Sequence, residues 1–516
     1  MDRNLLLAVS LSVAVYAAWF GFLEKRFNPP PVKAAAGFAT GTNDRTANPP
    51  AASSAAPMPV AAAPDPASAP APVKLDAAEA DEVQLGDAVA RIHPRGAAIV
   101  SFLYPEPLGS VELVHNPDEG LFATFSDLTF KRDASFKKGI VYTATRADGL
   151  KISKEFLPGE GTVLPRVRVV AVNTSKRAVD AGAWTLTVGP GLDTIATEKK
   201  ENADLQRAIA LTPAAKGLNG RIESLKDGTH PGPFRWIGID NRYFLAALLP
   251  SAEHFAPAQV SLPPKVTLTA KPVTIPPNGS FTWEVPYYLG AKGQTWLARY
   301  GMGLERSIDF GYFAWIGRKM LEALEYLHGL THNWGWAILA LTLILQVLLF
   351  PLTWKSLRAA GAMKKLQPEI AKLQQKYADD SAKLSAATME LYKTKGANPL
   401  GGCLPMVLQM PIFIALFNAL RNSWELHGAA WIFWIKDLSA KDPYYVLPVV
   451  MGALMFLQSK MNPPAGDPAQ QKVMMFMPLI FTFMFMNFPS GLVLYWLTNS
   501  LVSTVVQVAL KDQLEA

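Results

Sequence analysis

The chain has 516 residues, of which half are hydrophobic and 18% are charged, with a formal net charge of +7. This length exceeds one ordinary domain, so two or more structural units are expected. Long apolar runs occur near the N-terminus and repeatedly after residue 334, whereas residues 24–330 have the composition of a soluble protein. The sequence therefore predicts a membrane protein with a large aqueous domain. The one cysteine, Cys403, excludes a disulfide in that domain and a thiolate metal cluster.

The positive charge is concentrated in residues 353–398, between two apolar runs, where nine lysines and arginines are opposed by four acidic residues. A short basic loop between membrane spans marks the cytoplasmic side of the membrane. No aromatic-rich basic motif accompanies the charge, which disfavours direct binding of nucleic acid. Contact with a ribosome surface stays open as an alternative.

The N-terminal residues 5–23 are apolar and long enough to cross a hydrocarbon core of about 30 Å. The apolar stretch continues through Trp19 and Phe22 instead of ending at a small-residue cleavage site. We therefore predict an uncleaved anchor over residues 1–27 rather than a signal peptide. Residues 28–75 are crowded with proline, alanine and serine, which predicts an extended linker.

Residues 76–294 contain short runs of alternating apolar and polar residues, separated by glycine, proline and asparagine. This pattern predicts an all-β sandwich. An enzyme site was considered, but the histidines are scattered and no paired-acid or metal-binding motif joins them. The chain therefore carries no catalytic signature.

Residues 295–332 mix aromatic and charged residues, and an apolar stripe at helical spacing predicts an amphipathic helix. The stripe consists of Phe313, Ile316, Met320, Leu324 and Leu327. Such a helix lies in the headgroup region or packs against the β domain, and the sequence leaves both alternatives open.

Five further spans are predicted in the core region, residues 333–512. They cover residues 334–352, 403–420, 444–460, 473–488 and 490–510. Counting alternations from the cytoplasmic segment places the β domain outside and both termini in the cytoplasm. The fold class is a multi-domain membrane protein: a six-span α-helical bundle, made of one N-terminal anchor and a five-helix core, with an all-β external domain.

Polar residues recur inside these predicted spans. Thr342 and Gln346 share one helical face, and so do Tyr495, Asn499, Ser503 and Gln507. A second line, composed of Trp496, Ser500 and Thr504, runs beside the latter. An unpaired amide costs about 2–7 kcal/mol in apolar surroundings, so these groups should face one another or water. Interhelical hydrogen bonding alone is one explanation; a hydrated groove is favoured because two helices carry polar faces.

Within residues 355–398 two apolar stripes predict a helical hairpin, with Asp380 as the N-cap of its second helix. Its basic outer face and central turn are candidates for cytoplasmic contacts. These residues are Lys364, Lys365, Lys372, Lys376, Tyr377 and Asp380.

Four blocks in the C-terminal half resemble the YidC/Oxa/Alb family of membrane protein insertases. They are LQPEIAKLQQKY, LYKTKGANPLGGCLPMVLQMPIFIALFNAL, WIKDLSAKDPYYVLPVVMGALMF and FPSGLVLYWLTN. The anchor, linker and β domain resemble the Gram-negative branch of the family, whose large periplasmic domain is a β-supersandwich. The segment RWIGIDNRYFLAALL is similar to its family counterpart.

The resemblance implies a non-enzymatic insertase and chaperone of the bacterial inner membrane, without cofactor or metal. Its substrates would be nascent membrane proteins, inserted alone or with the Sec translocon (SecYEG and SecDF). The ribosome, the signal-recognition pathway and membrane lipids are further partners on this interpretation, whereas nucleic acid is not a direct partner.

The resemblance also implies a hydrophilic groove that is open to the cytoplasm and lipid but closed to the periplasm. Thr342, Tyr495 and Trp496 match functionally important family positions. The candidate groove residues are Thr342, Gln346, Tyr495, Trp496, Asn499 and Ser503. Gln346 departs from the family, which usually carries arginine or lysine there, and glutamine cannot attract an acidic substrate tail by charge.

The sequence disfavours two other functions. A small-molecule transporter would predict intramembrane ionisable residues or inverted repeats, and neither is found in the sequence. An assembly scaffold would use the spans only as membrane anchors. Anchors do not require polar residues inside the bundle, so the polar interior disfavours this function.

Overall fold

The computed structural model describes residues 75–136, 139–213, 221–377, 380–396, 399–461 and 468–510. The predicted anchor at residues 1–27 and almost all of the predicted linker at residues 28–75 lie outside these residues. The described chain consists of a β-rich region followed by a helical region.

The β-rich region contains nineteen strands among the described residues. They are β1 (Asp81–Leu85), β2 (Ala88–His93), β3 (Ala98–Glu106), β4 (Gly109–Glu112), β5 (Lys131–Asp133), β6 (Ile140–Thr145), β7 (Leu150–Leu157), β8 (Arg166–Asn173), β9 (Val179–Asp180), β10 (Thr185–Val188), β11 (Arg207–Thr212), β12 (Arg221–Leu225), β13 (Gly228–His230), β14 (Trp236–Asp240), β15 (Phe244–Leu248), β16 (Ala258–Ser261), β17 (Lys265–Thr269), β18 (Thr274–Ile275) and β19 (Ser280–Ala291). The largest sheet has nine strands in the order β12-β11-β14-β15-β19-β8-β7-β6-β5.

Two four-stranded sheets, β1-β2-β3-β4 and β10-β17-β16-β13, share one apolar core with the nine-stranded sheet. Strand β8 alternates between half-buried and buried residues along its whole length, as the period-two pattern predicts. Trp184 and Trp283 lie at the centre of this core, with ring centroids 5.5 Å apart. Strands β14 and β15 are buried throughout because they lie inside the nine-stranded sheet with both faces covered.

The helices are α1 (Asn202–Leu205), α2 (Gln294–Arg299), α3 (Ala314–Thr331), α4 (Trp334–Lys365), α5 (Gln367–Lys376), α6 (Ser381–Thr394), α7 (Pro399–Asn422), α8 (Val446–Met461), α9 (Pro468–Phe485) and α10 (Ser490–Ala509). Among the described residues, α4 and α10 are long and apolar enough to cross a membrane. Exposed apolar side chains such as Val347 (75%) and Leu348 (72%) are typical of a helix that faces lipid.

Helix α4 continues through Pro351 to Lys365, well beyond the predicted end of its span at residue 352. The first quarter of the predicted hairpin segment therefore belongs to α4, and the hairpin itself consists of α5 and α6. Asp380 occupies the predicted N-cap, since its side chain accepts a hydrogen bond from the Lys383 backbone N–H at 3.0 Å. Lys395 Nζ lies 3.0 Å from Glu369 Oε1 and ties the two hairpin helices together.

Helix α3 is amphipathic, as predicted, but its apolar face packs against α4 and α7. Met320, Leu321 and Leu324 are buried in the apolar cluster of the helical region. Trp315 and Tyr326 on the opposite face are 72% and 70% exposed. Helix α3 therefore packs on other helices and not on the β domain, which was one of the two predicted alternatives. Its opposite, aromatic face is exposed.

Candidate functional site

Three helices of the bundle are joined by a network of neutral side chains. Gln346 of α4 donates from Nε2 to Asn499 Oδ1 of α10. Gln409 of α7 donates to the same Asn499 oxygen at 3.1 Å, and its Nε2 lies 3.5 Å from the Tyr495 hydroxyl. Asn499 is therefore the centre of a polar network formed by residues distant in the sequence. We refer to Gln346, Gln409, Tyr495 and Asn499 as the amide network.

The depth of the amide network follows from helix geometry. Gln346 lies about 18 Å along α4 from its first residue, Trp334, at 1.5 Å per residue. A carboxamide at this depth in an apolar helix must find hydrogen-bond partners, because leaving it unpaired costs several kcal/mol. Glutamine and asparagine also have more donors and acceptors than the network contacts use. The network can therefore bind water or a peptide group as well as hold the helices together.

The remaining predicted groove residues do not take part in the described hydrogen bonds of the network. The Thr342 hydroxyl donates to Ile338 O of its own helix at 2.7 Å, and the side chain is 1% exposed. Trp496 packs edge-on against Phe413, with ring centroids 4.8 Å apart. Ser503 is half-buried, one helical turn beyond Asn499. Thr342 and Trp496 thus contribute packing, whereas the hydrogen-bonding centre is the amide network.

The second polar line predicted on α10 is directed into the protein. Ser500 and Thr504 are buried, and the Thr504 hydroxyl donates to Ser500 O at 2.8 Å. Conversely, Gln409 is a network member that the sequence pattern did not assign to the groove. Its only signal in the sequence was an amide side chain within an apolar span.

One end of the bundle is covered by the loop between α7 and α8, residues 423–445, which we call the capping loop. Asp442 of this loop is 1% exposed and accepts hydrogen bonds from Trp434 Nε1, Tyr444 N and Leu447 N at 3.0, 3.0 and 2.7 Å. The Ser490 backbone N–H, at the start of α10, donates to Ala440 O at 2.7 Å. The capping loop is thereby fixed to the starts of α8 and α10.

The two ends of α10 differ in their surroundings. Residues 491–495 are all buried beneath the capping loop, whereas Leu501, Val505 and Val508 are 48%, 57% and 58% exposed. Tyr495 ends the buried part and Asn499 is half-buried one turn further on, so the amide network lies where α10 changes from fully buried to partly exposed.

The capping loop is also docked on the β-rich region. The Trp424 ring lies 5.1 Å from that of Phe244 and belongs to the apolar core of the sheets. His427 Nε2 is paired with the Glu106 carboxylate. Glu425 Oε1 accepts from Gln294 N at 2.8 Å, and burial raises the pKa of the Glu425 carboxyl. The sheets therefore support the loop that closes one end of the bundle.

The site contains no reactive constellation in the described part of the chain. Its polar members are amides, a phenol and hydroxyls. No group of three or more histidine, cysteine or acidic residues could hold a metal ion among the residues the structure describes. The arrangement suits reversible hydrogen bonding rather than bond-breaking chemistry.

Two protein families match consecutive parts of the chain. The family described as 60Kd inner membrane protein matches residues 326–516, and the YidC periplasmic domain matches residues 112–323. A membrane protein insertase YidC from Endomicrobium trichonymphae is 38% identical over 436 residues, covering 80% of this chain and 81% of that protein. The chain belongs to the YidC family of membrane protein insertases.

Other YidC proteins match at similar levels. The YidC of Geobacter sulfurreducens is 36% identical over 378 residues, covering 72% of this chain and 70% of the relative. A crystal structure of an active YidC insertase with its first transmembrane domain resolved aligns with a TM-score of 0.41 and 18% identity, covering 84% of this chain and 94% of that chain. The resemblance inferred from the sequence is confirmed by the family and relative matches.

Membership of the YidC family defines the biochemical class of the chain. It is a non-enzymatic insertase of membrane proteins in the inner membrane, and nascent membrane proteins are its substrates. The β-rich region corresponds to the YidC periplasmic domain and the helices after it to the inner-membrane part. Within this YidC protein, the amide network is the feature that needs a functional account.

Proposed function

We propose that the amide network lines a hydrated groove that receives the polar flank of a nascent transmembrane segment during insertion. The observation that carries the proposal is the hydrogen bonding of Gln346 and Gln409 to Asn499 deep inside an apolar bundle. Thr342, Trp496 and Ser503 form the walls around the network.

The energetic benefit of such a groove comes from shortening the apolar path. A substrate's polar flank loses about 2–7 kcal/mol for each amide buried without a hydrogen bond. Amides and water in the groove would replace those bonds over part of the membrane thickness. Partition of the apolar segment into lipid then drives insertion without ATP. The favourable free energy is about 25 cal/mol for each Å² of apolar surface removed from water.

The direction of the groove follows from its two ends. The capping loop, supported by the periplasmic domain, covers the end near Ser490, so we infer that this end faces the periplasm. The groove then opens toward the cytoplasm and sideways toward lipid, where Leu501 and Val505 are exposed. This orientation agrees with six spans, both termini in the cytoplasm, and the basic hairpin on the cytoplasmic side.

The finer organisation also belongs to this proposal. We infer an anchor and a linker before residue 76, a β-supersandwich over residues 76–294, an interfacial segment over residues 295–332 and a five-helix insertase core over residues 333–512. The lysines at the end of α4 and on the first hairpin helix, Lys364, Lys365, Lys372 and Lys376, would contact the ribosome or the signal-recognition pathway. Cooperation with the Sec translocon is proposed on the resemblance alone.

The test is insertion of a small two-span client into liposomes that contain only the purified protein, measured by protease protection. The Gln346→Leu/Asn499→Leu double variant should reduce the initial insertion rate by at least about tenfold, because loss of even one such polar interaction corresponds to about 1.4 kcal/mol. Thr353→Val is the matched control, since its hydroxyl bonds only to Leu349 O of the same helix. Equal rates for wild type and the double variant would exclude the groove, and wild-type rates equal to empty liposomes would exclude autonomous insertion.

A further inference from the structure

A second polar site lies outside the bundle, where the edge of the nine-stranded sheet meets the start of α3. A cavity of about 410 Å³ opens there, within the size range of ligand sites. Four arginines line it: Arg207 of β11, Arg221 of the edge strand β12, Arg306, and Arg318 of α3. Asp309 is the one acidic residue among the described lining residues.

Two carboxylates near the cavity are directed at Arg207, while the charges of Glu305 and Glu322 act on Arg318 and raise its pKa against the effect of burial. The Arg207 guanidinium lies 2.9 Å from Asp240 Oδ1 and 3.4 Å from Asp309 Oδ2. Asp240 is fully buried and also pairs with Lys292 at 2.9 Å. Its negative charge is therefore matched within the sheet, and the described lining of the cavity carries four arginines against the single carboxylate of Asp309.

Arg318 is held in a position that suits an anionic ligand. Its guanidinium lies 5.8 Å from the centroid of the Phe310 ring, and Nε is enclosed without a hydrogen-bond partner among the described residues. Burial and then the neighbouring charge of Arg306 lower the pKa of Arg318. A bound anion would relieve both effects, and the planar guanidinium fork matches the oxygen geometry of phosphate.

The surroundings of the cavity favour a lipid over a free ion. Tyr312 and Trp315, which alternate in sequence with the lining residues Gly311 and Ala314, are 82% and 72% exposed. Tyrosine and tryptophan concentrate at the headgroup level of membranes. An arginine-lined cavity beside such side chains would lie at the depth of lipid phosphates.

We propose that this cavity binds the phosphate group of an anionic membrane lipid at the periplasmic face of the membrane. The lipid would bridge the sheet edge at Arg221 to α3 at Arg318, and so fix the periplasmic domain against the bilayer. The site is separate from the amide network, so it stands independently of the groove.

The test measures lipid binding to the full chain in a neutral detergent by native mass spectrometry. Short-chain phosphatidylglycerol should bind saturably with one molecule per chain, whereas phosphatidylcholine of the same chain length should bind at least about tenfold more weakly, because its headgroup carries no net charge. Arg318→Gln and Arg221→Gln should each weaken phosphatidylglycerol binding by about tenfold, the loss of one charge-assisted hydrogen bond. Lys319→Gln is the matched control, because it removes the same charge from an exposed neighbouring position.

Each outcome decides the proposal. Saturable binding that is weakened by the cavity variants and unchanged by Lys319→Gln supports it. Inorganic phosphate that displaces the lipid at equal concentration would identify a free-phosphate site and overturn the lipid assignment. Unchanged lipid affinity in both Arg221→Gln and Arg318→Gln would show that the lipid binds elsewhere. Arg221 is exposed at a sheet edge, so Arg221→Gln tests lipid binding without disturbing the fold.

Discussion

The periplasmic domain and the helical region bury polar side chains in opposite ways. In the periplasmic domain the buried polar groups include full charges: Asp240 lies between Arg207 and Lys292. The buried Lys154 Nζ is similarly enclosed, with the carbonyl oxygens of Gly96 and Ala97 at 3.2 and 2.7 Å, and burial lowers its pKa well below the ordinary value. Each of these groups is matched by an opposite charge or by several acceptors.

In the helices of the bundle the corresponding groups are neutral. Gln346, Gln409 and Asn499 share hydrogen bonds, and the Thr498 hydroxyl donates to Leu494 O of its own helix. A compensated ion pair holds a fixed geometry, because removing either partner leaves an unpaired charge. Neutral amides exchange partners at lower cost, since no uncompensated charge is created when one bond is replaced by another. Buried charges therefore suit the periplasmic domain as a rigid support. Neutral amides suit the amide network as a site that must accept changing peptide segments.

The largest effect is expected when the charge balance of the periplasmic domain is broken. Asp240→Asn leaves Arg207 and Lys292 with less compensation and should destabilise the domain by about 3–5 kcal/mol. The measurement is thermal unfolding of the full chain in detergent. Asp148→Asn is the control, because it disrupts the more exposed pair with Arg146 and should have a much smaller effect. Similar midpoints for the two variants would contradict the comparison.

The capping loop provides an intermediate case, in which a buried carboxylate is matched by N–H donors. Asp442→Asn replaces one acceptor oxygen by an NH₂ group, so one of its three donors loses its partner. The expected loss is about 1–3 kcal/mol. Hydrogen exchange of the Tyr444 and Leu447 amides should accelerate in Asp442→Asn. In the control variant Asp437→Asn, exchange of the Leu447 amide should stay unchanged. Unchanged exchange at both amides would show that Asp442 does not hold the loop.

The neutral character of the amide network can be tested by adding a charge. Gln346→Arg should increase the initial insertion rate of clients with acidic tails by about tenfold, because a positive cleft raises the local concentration of an anionic segment. Clients with neutral tails should be unaffected, and Gln346→Met should give no gain for either class. The gain should also fall with rising salt. An equal gain for neutral tails would show that the charge acts in another way.

The smallest effect concerns the joint between the two regions. Burial raises the pKa of Glu425 above its ordinary value of 4.5. The folded protein then binds the proton more tightly than the unfolded chain, so this contribution to stability is fully present below pH 4.5 and is lost as pH rises through the folded pKa. Glu425→Gln should flatten that part of the stability–pH curve, measured by unfolding midpoints across this window. Glu390→Gln, at an exposed position on the hairpin, should leave the curve unchanged.

Features that depend on local periodicity and local caps could be predicted from the amino-acid sequence. The alternation of β8, the amphipathic stripe of α3 and the N-cap at Asp380 are readable because the deciding residues lie within a few positions of one another. The family resemblance was also visible in the sequence, because its blocks are long and occur in one order. The end of α4 was not readable, because a helix that continues through Pro351 depends on what surrounds it.

The contacts between polar groups of different helices depend on how the chain packs. Gln409 and Asn499 are 90 positions apart, and Trp424 joins an apolar core made by strands more than 130 residues earlier in the chain. The polar line of Ser500 and Thr504 has the same helical spacing as that of Tyr495 and Asn499, yet Thr504 bonds within its own helix whereas Asn499 bonds to two other helices. Helical spacing fixes which side chains share a face, but only the packing of α4, α7 and α10 fixes what each face meets. The physical reason is that hydrogen bonds between helices depend on their relative rotation and height, which no local pattern encodes.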